Sequence, residues 1–515
     1  MEKEGKNGGP ERVKIRKIPT GVPGLDEILG GGLPEYSFNI IAGAPGSGKT
    51  TLAHQIMFAN ATPEKPAIYL TVLGEPAIKM LRYQQQFSFF DQAKLAGAIH
   101  FVNLSQLVLD NDLDTVLEEI IKHVEASNAG IVVVDSFRTV VRKAQGSAGT
   151  TDTELQAFIQ NLALYLTSWQ ATTFLIGEYV ESEIRDNPVF TVADGLFWLS
   201  QSVERNSIVR KMQIIKLRGQ ESVPGLHTFR ITDDGLQCFP RTFGLTEKSK
   251  NVKGKQRLSI GIPALDDLMG GGIPEGDSLL VAGPSGGGKT ILGQHFIAEG
   301  LKQGEPGIVA MFEELPAEYV ERAEKFGIDF DTPQKEGKLK IIYLRPLDLS
   351  VDETVHEVVS AVKEIGCKRL VIDSLVGFEL ALAPGFRSDF RESLYRMIGA
   401  VTRMGVTIIS TVEIEENFTS MSLSNFAVSF LADDLLRLRY VSINGQLRKM
   451  MMVVKMRRSG HSIDMHEYKI TTDGIVIGEP LRGYQGLLTS IPGPWSSSSD
   501  IPEPTAEGID GDVLD

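Results

Sequence analysis

The pattern G-x-x-x-x-G-K-[ST] occurs twice in this chain, as Gly43-Ala-Pro-Gly-Ser-Gly-Lys-Thr50 and as Gly283-Pro-Ser-Gly-Gly-Gly-Lys-Thr290. Each copy follows an apolar run, Phe38-Asn-Ile-Ile41 or Leu279-Leu-Val-Ala282. Each precedes a helix-like segment, Thr51-Leu-Ala-His-Gln-Ile-Met57 or Ile291-Leu-Gly-Gln-His-Phe-Ile297. Glycines let the backbone wrap phosphates so that its N–H groups and the helix N-terminus point at the anion. Lys49 and Lys289 are placed to reach the β- and γ-phosphates of a nucleotide, and Thr50 and Thr290 to offer a hydroxyl to Mg²⁺. Gly46, Ser47, Gly48 and Thr51 complete the first cradle; Gly286, Gly287, Gly288 and Ile291 complete the second. A single match can be coincidence. Two in matched contexts imply a nucleotide-binding chain that builds the same strand–loop–helix unit twice.

The repeat extends well beyond the loops. Gly21-Val-Pro-Gly-Leu-Asp26 and Gly30-Gly-Gly-Leu-Pro-Glu35 return as Gly261-Ile-Pro-Ala-Leu-Asp266 and Gly270-Gly-Gly-Ile-Pro-Glu275, 240 residues later, the same offset as Lys49 to Lys289. Lys216-Leu-Arg218 returns as Lys455-Met-Arg457 at an offset of 239. A chain of 515 residues also exceeds what one hydrophobic core usually holds. The reading is a duplicated domain: a flexible N-terminus over 1–13, a first copy over 14–246, a polar and basic linker over 247–257, and a second copy over 258–483. The tail over 484–515, rich from Pro492 onward in proline, serine and acids with no Lys or Arg, is expected to be disordered.

Within each copy, β-rich apolar runs alternate with helical stretches. They are Ala67–Val72, Gly130–Asp135 and Thr172–Ile176 in the first, and Gly307–Phe312, Arg369–Asp373 and Val406–Ser410 in the second. Near-continuous apolar strands separated by helices predict an α/β fold, a mainly parallel sheet covered on both faces. Ligands of such a sheet sit beyond the carboxyl ends of its strands, where the phosphate loops also fall.

A Mg-nucleotide site needs an acid at the end of a second strand. Asp135 lies 86 residues after Lys49 and Asp373 lies 84 after Lys289, each closing an apolar run. Both are candidate Mg²⁺ partners with Thr50 and Thr290; helix capping is the competing reading. Hydrolysis further needs a group that orients or deprotonates water. The run Ile308–Phe312 ends in Glu313-Glu314, placing two carboxylates near the phosphates. Aligned through Pro76 and Pro316, the first copy has Leu73 and Gly74 there, with Glu75 one step beyond. A one-residue shift reverses side-chain direction on a strand. The first copy is therefore expected to bind ATP and hydrolyse it slowly or not at all.

A net charge of −14 argues against a surface built to neutralise DNA or RNA. No apolar run approaches a membrane span, and the N-terminus lacks the apolar core of a secretion signal. Two cysteines, Cys238 and Cys367, suit neither a disulfide framework nor a four-ligand zinc site. A cytoplasmic setting is expected.

The doubled phosphate loop, the Glu313-Glu314 strand end, the Lys-x-Arg strands and the paired Gly-Gly-Gly turns resemble the KaiC family of bacterial circadian-clock ATPases and autokinases, over nearly the whole chain except the tail. The resemblance implies two tandem RecA-like P-loop NTPase domains and a double-ringed homohexamer with ATP and Mg²⁺ at subunit interfaces. It implies that Lys216, Leu217 and Arg218 meet the ATP of a neighbour's first domain. Lys455, Met456 and Arg457 would meet that of its second, with Lys455 and Arg457 acting in catalysis. Absent the repeat, both Lys-x-Arg pairs read as an exposed basic strand edge. His461 matches a nucleotide-proximal family histidine that Ser222 replaces in the first copy. The family's second domain phosphorylates an adjacent Ser-Thr pair; this chain has Ser429-Phe430 there and Ala432 beyond. Ser429 is the remaining candidate acceptor, a small packed residue being the competing reading. Clock or signalling proteins are the partners implied, though the tail does not match the family's clock-partner-binding end. A DNA-dependent RecA-like recombinase or helicase, and a nucleotide-gated scaffold with negligible turnover, are the alternatives.

Overall fold

The computed structural model describes residues 15–72, 77–110, 112–140, 152–184, 187, 189–204, 207–241, 254, 256–344, 350–382, 390–414, 432–482, 484–485 and 493–494. The chain divides into two compact units, Met1–Phe243 and Gly244–Asp515.

In the first unit nine strands form one sheet: β1 (Phe38–Gly43), β2 (Ala67–Thr71), β3 (Ile99–Asn103), β4 (Ile131–Asp135), β5 (Thr172–Glu178), β6 (Gly195–Glu204), β7 (Ser207–Leu217), β8 (Leu226–Thr232) and β9 (Gly235–Phe239). Their order is β9-β8-β7-β6-β1-β5-β4-β2-β3. Strands β6, β1, β5, β4, β2 and β3 run parallel, while β6 to β9 form an antiparallel meander. The second unit repeats this with β10 (Ser278–Gly283), β11 (Gly307–Met311), β12 (Leu339–Tyr343), β13 (Arg369–Asp373), β14 (Thr407–Glu413), β15 (Asp434–Ile443), β16 (Gln446–Met456), β17 (His466–Thr471) and β18 (Gly474–Pro480). Here the order is β12-β11-β13-β14-β10-β15-β16-β17-β18.

The parallel half follows from burial on both faces. Ile40 and Ala42 of β1 pack with Val116, Ile120 and Val124 of the helix Leu113–Ser127 and with Ile159 and Leu162 of the helix Asp152–Ser168. Ile41, one residue along, faces the opposite side with Leu52, Ile56 and Met57 of the helix Lys49–Asn60. Alternation with period two thus feeds two cores. Leu279 and Val281 likewise pack with Leu292 and Phe296 of the helix Lys289–Lys302. The antiparallel half includes a tight turn. Asn444-Gly445, both at positive φ (52° and 75°), joins β15 to β16 and is a two-residue hairpin signal already present in the sequence.

Of the expected linker, Arg257 opens a two-residue ladder with Ile273-Pro274 and donates to the Met269 and Gly272 carbonyls. In the stretch expected to lack structure, Tyr484–Gln485 pairs with Gly493–Pro494. No helix among the described residues is long and apolar enough to cross a membrane.

Candidate functional site

Each phosphate loop leaves the carboxyl end of the central strand, β1 or β10, and enters a helix through a left-handed glycine, Gly48 (φ 96°) or Gly288 (φ 90°). Glycine is required there, since a Cβ on Gly48 would lie 2.7 Å from the Ile231 side chain and a non-glycine residue would be strained at that φ. Neither helix has a side-chain cap, whereas Asp112, Ser350 and Ser374 cap others. The first-turn N–H groups at both loops therefore lack a side-chain acceptor, the arrangement that suits an anion.

In the first unit the cleft is lined by Gly46, Gly48, Lys49, Thr50 and Thr51 on one side, and by Asp135, Arg138 and Glu178 on the other. Lys49 Nζ donates to the Ala44 carbonyl (2.7 Å). Burial lowers the Lys49 pKa, against the opposing pull of Glu178 and Asp135. Asp135 Oδ2 accepts from Thr50 Oγ1 (2.8 Å) and from Tyr69 Oη (2.6 Å). Its burial raises the carboxyl pKa, an effect the two hydroxyls and Lys49 counter. Hydroxyl and carboxylate oxygens are thus brought together at the loop, a hard donor set that fits Mg²⁺.

The second cleft is lined by Gly286, Gly288, Lys289, Thr290 and Ile291 together with Glu313, Glu314, Asp373 and Glu413. Lys289 Nζ donates to the Gly283 (3.0 Å) and Pro284 (2.7 Å) carbonyls and lies 3.9 Å from Glu413. Burial lowers its pKa, opposed by Glu413, Asp373 and Glu313. Glu313 Oε1 accepts from Ser374 Oγ (3.0 Å), and Glu314 pairs with Arg322. Burial raises the Glu314 pKa; Arg322 opposes this, while Asp373 and Glu318 add to it. The Glu-Glu step places both carboxylates at the cleft wall. Gly287 and Ser47, the remaining loop positions, are buried behind their cradles.

Three functional features escaped the sequence reading. Glu178 and Glu413 each close the strand beside the loop, in register with Gly43 and Gly283, and face the cleft. Both were hidden because the strand carrying them reads as purely structural; their matched place at the last position of β5 and β14 was the available signal. The strand-end acids are also held from opposite sides. Tyr69, third in β2, serves Asp135 where β11 has Val309; Thr411, fifth in β14, donates to Asp373 where β5 has Ile176. Arg138 lines only the first cleft, paired bidentately with Glu183 and lying 4.9 Å from the Tyr179 ring centroid.

The Lys-x-Arg pairs lie elsewhere. Lys216 pairs in register with Leu196 and Lys455 with Leu435, at the amino ends of β6 and β15. Those ends lie beside Asn39 and Leu279 at the start of each central strand. The phosphate loop begins at that strand's other end, four or five residues away, roughly 13–17 Å at about 3.3 Å per residue. Lys216 Nζ donates to the Thr191 carbonyl and Lys455 Nζ to that of Ala432. Arg218 and Arg457, 57% and 52% exposed, pair with Asp194 and Asp433. Their strands are internal to the sheet, but β8 and β17 stop short of these residues. His461 lies near this amino end too, its Nδ1 2.8 Å from the Ser462 carbonyl; the Ser462 N–H bonds to Leu268. Ser429, Phe430, Leu73, Gly74 and Glu75 lie outside the described residues.

Beside Arg457 the second unit carries a buried acid the first lacks. Asp434 Oδ1 accepts from the Arg457 N–H (3.3 Å), and Oδ2 is buried without a partner among the described residues. Burial raises its pKa to about 7, aided by Asp277 and Asp433 and opposed by the Arg457 N–H and Arg458. A folded pKa above the ordinary value means the folded state holds the proton more tightly. Stability from this group is full below pH ~4 and lost as pH rises through about 7. Asp434→Asn is expected to gain ~1–2 kcal/mol at pH 8 and to flatten the fall in melting temperature between pH 5 and 8. Identical profiles for the two proteins would count against this.

A family model described as "ATPase: KaiC" matches residues 18–242 and again 258–482. The circadian clock oscillator protein KaiC of Picosynechococcus sp. is 29% identical over 495 residues, covering 93% of this chain and 92% of the relative. KaiC 1 of Synechocystis sp. is 29% identical over 496 residues, with 93% and 92% covered. KaiC of Thermostichus vulcanus is 30% identical over 493 residues, with the same coverage.

Proposed function

The chain belongs to the KaiC family of ATPases, and from that premise we propose that both units bind Mg-ATP, that the second hydrolyses it, and that the first chiefly retains it. The observation that carries this reading is the pair of matched clefts, of which the second adds Glu313 and Glu314 to its loop lysine and strand-end acid. Thr50 with Asp135, and Thr290 with Asp373, would hold Mg²⁺, which when bound neutralises phosphate charge. Lys289 orients the β- and γ-phosphates. Glu314, its pKa raised by burial, suits the receipt of a proton from attacking water, and Glu313 lies beside it.

Lys455 and Arg457 are assigned to the ATP of a neighbouring copy, and Lys216 and Arg218 likewise in the first domain. Their position at the amino end of the strands, away from their own loop, supports this. A cation delivered from a neighbour stabilises charge developing on the transferred phosphoryl group. A head-to-tail contact that closes makes a ring, and six copies is the size implied by the family. Serine autophosphorylation at Ser429 and a part in bacterial timing or signalling complete the reading.

Mixing tests it. Lys289→Ala and Arg457→Ala chains should each be nearly inert at the second site. After unfolding-free subunit exchange in equal amounts, a ring that pairs subunits at random makes a competent interface with probability one half times one half, so about a quarter of wild-type turnover returns. A mixture no more active than its components sinks the shared-site arrangement. A wild-type chain that releases no phosphate from ATP sinks the enzyme reading. Mass spectrometry of the wild type after incubation with Mg-ATP should find phosphate on Ser429, and none between Thr419 and Ser429 would remove the autokinase assignment.

A further inference from the structure

The two phosphate loops are alike in backbone yet supported differently. In the second unit Tyr440, Lys449 and Tyr468 occupy one row across β15, β16 and β17, Tyr440 in register with Lys449 and Lys449 with Tyr468. They donate to three successive loop carbonyls: Tyr440 Oη to Ser285 (3.2 Å), Lys449 Nζ to Gly286 (3.0 Å) and Tyr468 Oη to Gly287 (2.5 Å). The corresponding row of the first unit is Gln201, Arg210 and Phe229, by the shared segments Phe229-Arg-Ile-Thr232 and Tyr468-Lys-Ile-Thr471. Phe229 has no hydroxyl. The loop position equivalent to Gly287 is Ser47, whose Oγ is buried with no partner among the described residues. At equivalent positions, the phenol and glycine of one unit are thus a phenyl ring and a serine in the other.

A trans peptide points its C=O and N–H in opposite directions. Holding the Gly287 carbonyl toward the sheet therefore aims the Gly288 N–H the other way, and Gly288 lines the cleft while Gly287 does not. The Gly287 N–H is already spent within the loop, on the Pro284 carbonyl (3.2 Å), so the Gly288 group matters more for an anion. We propose that Tyr468 is a positioning residue of the second nucleotide site, fixing the peptide that presents the Gly288 N–H to phosphate, and that the first site lacks this brace. Tyr468 touches no nucleotide; it acts through the loop. The inference rests on the reading that the second loop binds ATP.

The test uses the full chain carrying Lys49→Ala, so that binding reports the second site. Calorimetric titration with a non-hydrolysable ATP analogue and with ADP is compared with and without Tyr468→Phe, and adenosine is measured by competition. One neutral hydrogen bond corresponds to about a fivefold change. Tyr468→Phe is expected to weaken the analogue and ADP by about that factor and to leave adenosine unchanged. Equal analogue affinity in both proteins overturns the proposal, and so does an equal loss for adenosine, which would mean general loosening. Failure of the Lys49→Ala parent to bind any analogue would instead overturn the nucleotide-site reading, and this inference with it.

Discussion

ATP turnover by the full chain falls about a hundredfold or more in Lys289→Ala, whereas Lys49→Ala retains most of it. Lys289 is held at the loop by the Gly283 and Pro284 carbonyls and is surrounded by Glu413, Asp373 and Glu313. Its ammonium sits at the loop, between the place the phosphates would take and this acidic wall. Removing it leaves three carboxylates facing an anionic ligand, so binding and transition-state stabilisation are lost together. Lys49 faces Asp135 and Glu178 in the same way, but no second carboxylate pair stands at a described strand end of that cleft. Phosphate release measured on both variants, with melting temperatures to confirm folding, decides the matter. Undiminished turnover in Lys289→Ala, or turnover abolished only by Lys49→Ala, reverses the proposed division of labour.

The largest stability effect is expected at Arg369, a fully buried guanidinium. It pairs with Glu305 (2.6 Å), donates to the Ser259 (2.6 Å) and Phe296 (2.9 Å) carbonyls, and lies 4.7 Å from the Phe296 ring centroid. The helix carries glycine where it passes, since a Cβ on Gly300 would come within 2.3 Å of Arg369 Cδ. Arg369→Leu removes the donor to two carbonyls and unpairs Glu305, and breaking a buried ion pair from one side costs about 3–5 kcal/mol. Glu305 is partly exposed, which places the expected loss near the lower figure. Urea unfolding of the full chain should show it in the second unit. The first has Ile131 opening the equivalent strand, so it needs no such anchor. A loss below ~1 kcal/mol would show that water or rearranged side chains satisfy the orphaned groups.

How far the fold was readable depended on how local its causes are. Gly48 and Gly288, Lys49 and Lys289, and the strand-end acids Asp135 and Asp373 are legible because a phosphate cradle is contiguous and the acids close apolar runs. The parallel strands announced themselves through unbroken apolar runs. The antiparallel half was less visible: β6–β9 and β15–β18 mix polar and apolar residues, and the Asn444-Gly445 turn was the clearest local sign. Glu178, Glu413, Tyr69 and Thr411 reach the site only because strand order sets β5 and β14 beside the central strand and β2 beside β4.

The amino-acid order by itself determined that there are two anion cradles, their spacing, and the asymmetry of Glu313-Glu314 against Leu73-Gly74. These depend on short-range backbone geometry repeated along the chain. Only the tertiary structure decided which groups face each cradle from across the sheet, that the Lys-x-Arg pairs sit at the far end of the strands, and that Tyr468 braces one loop while Phe229 cannot. Those relations join residues from 38 to 181 positions apart, and strand register, set by packing across whole sheets, brings them together.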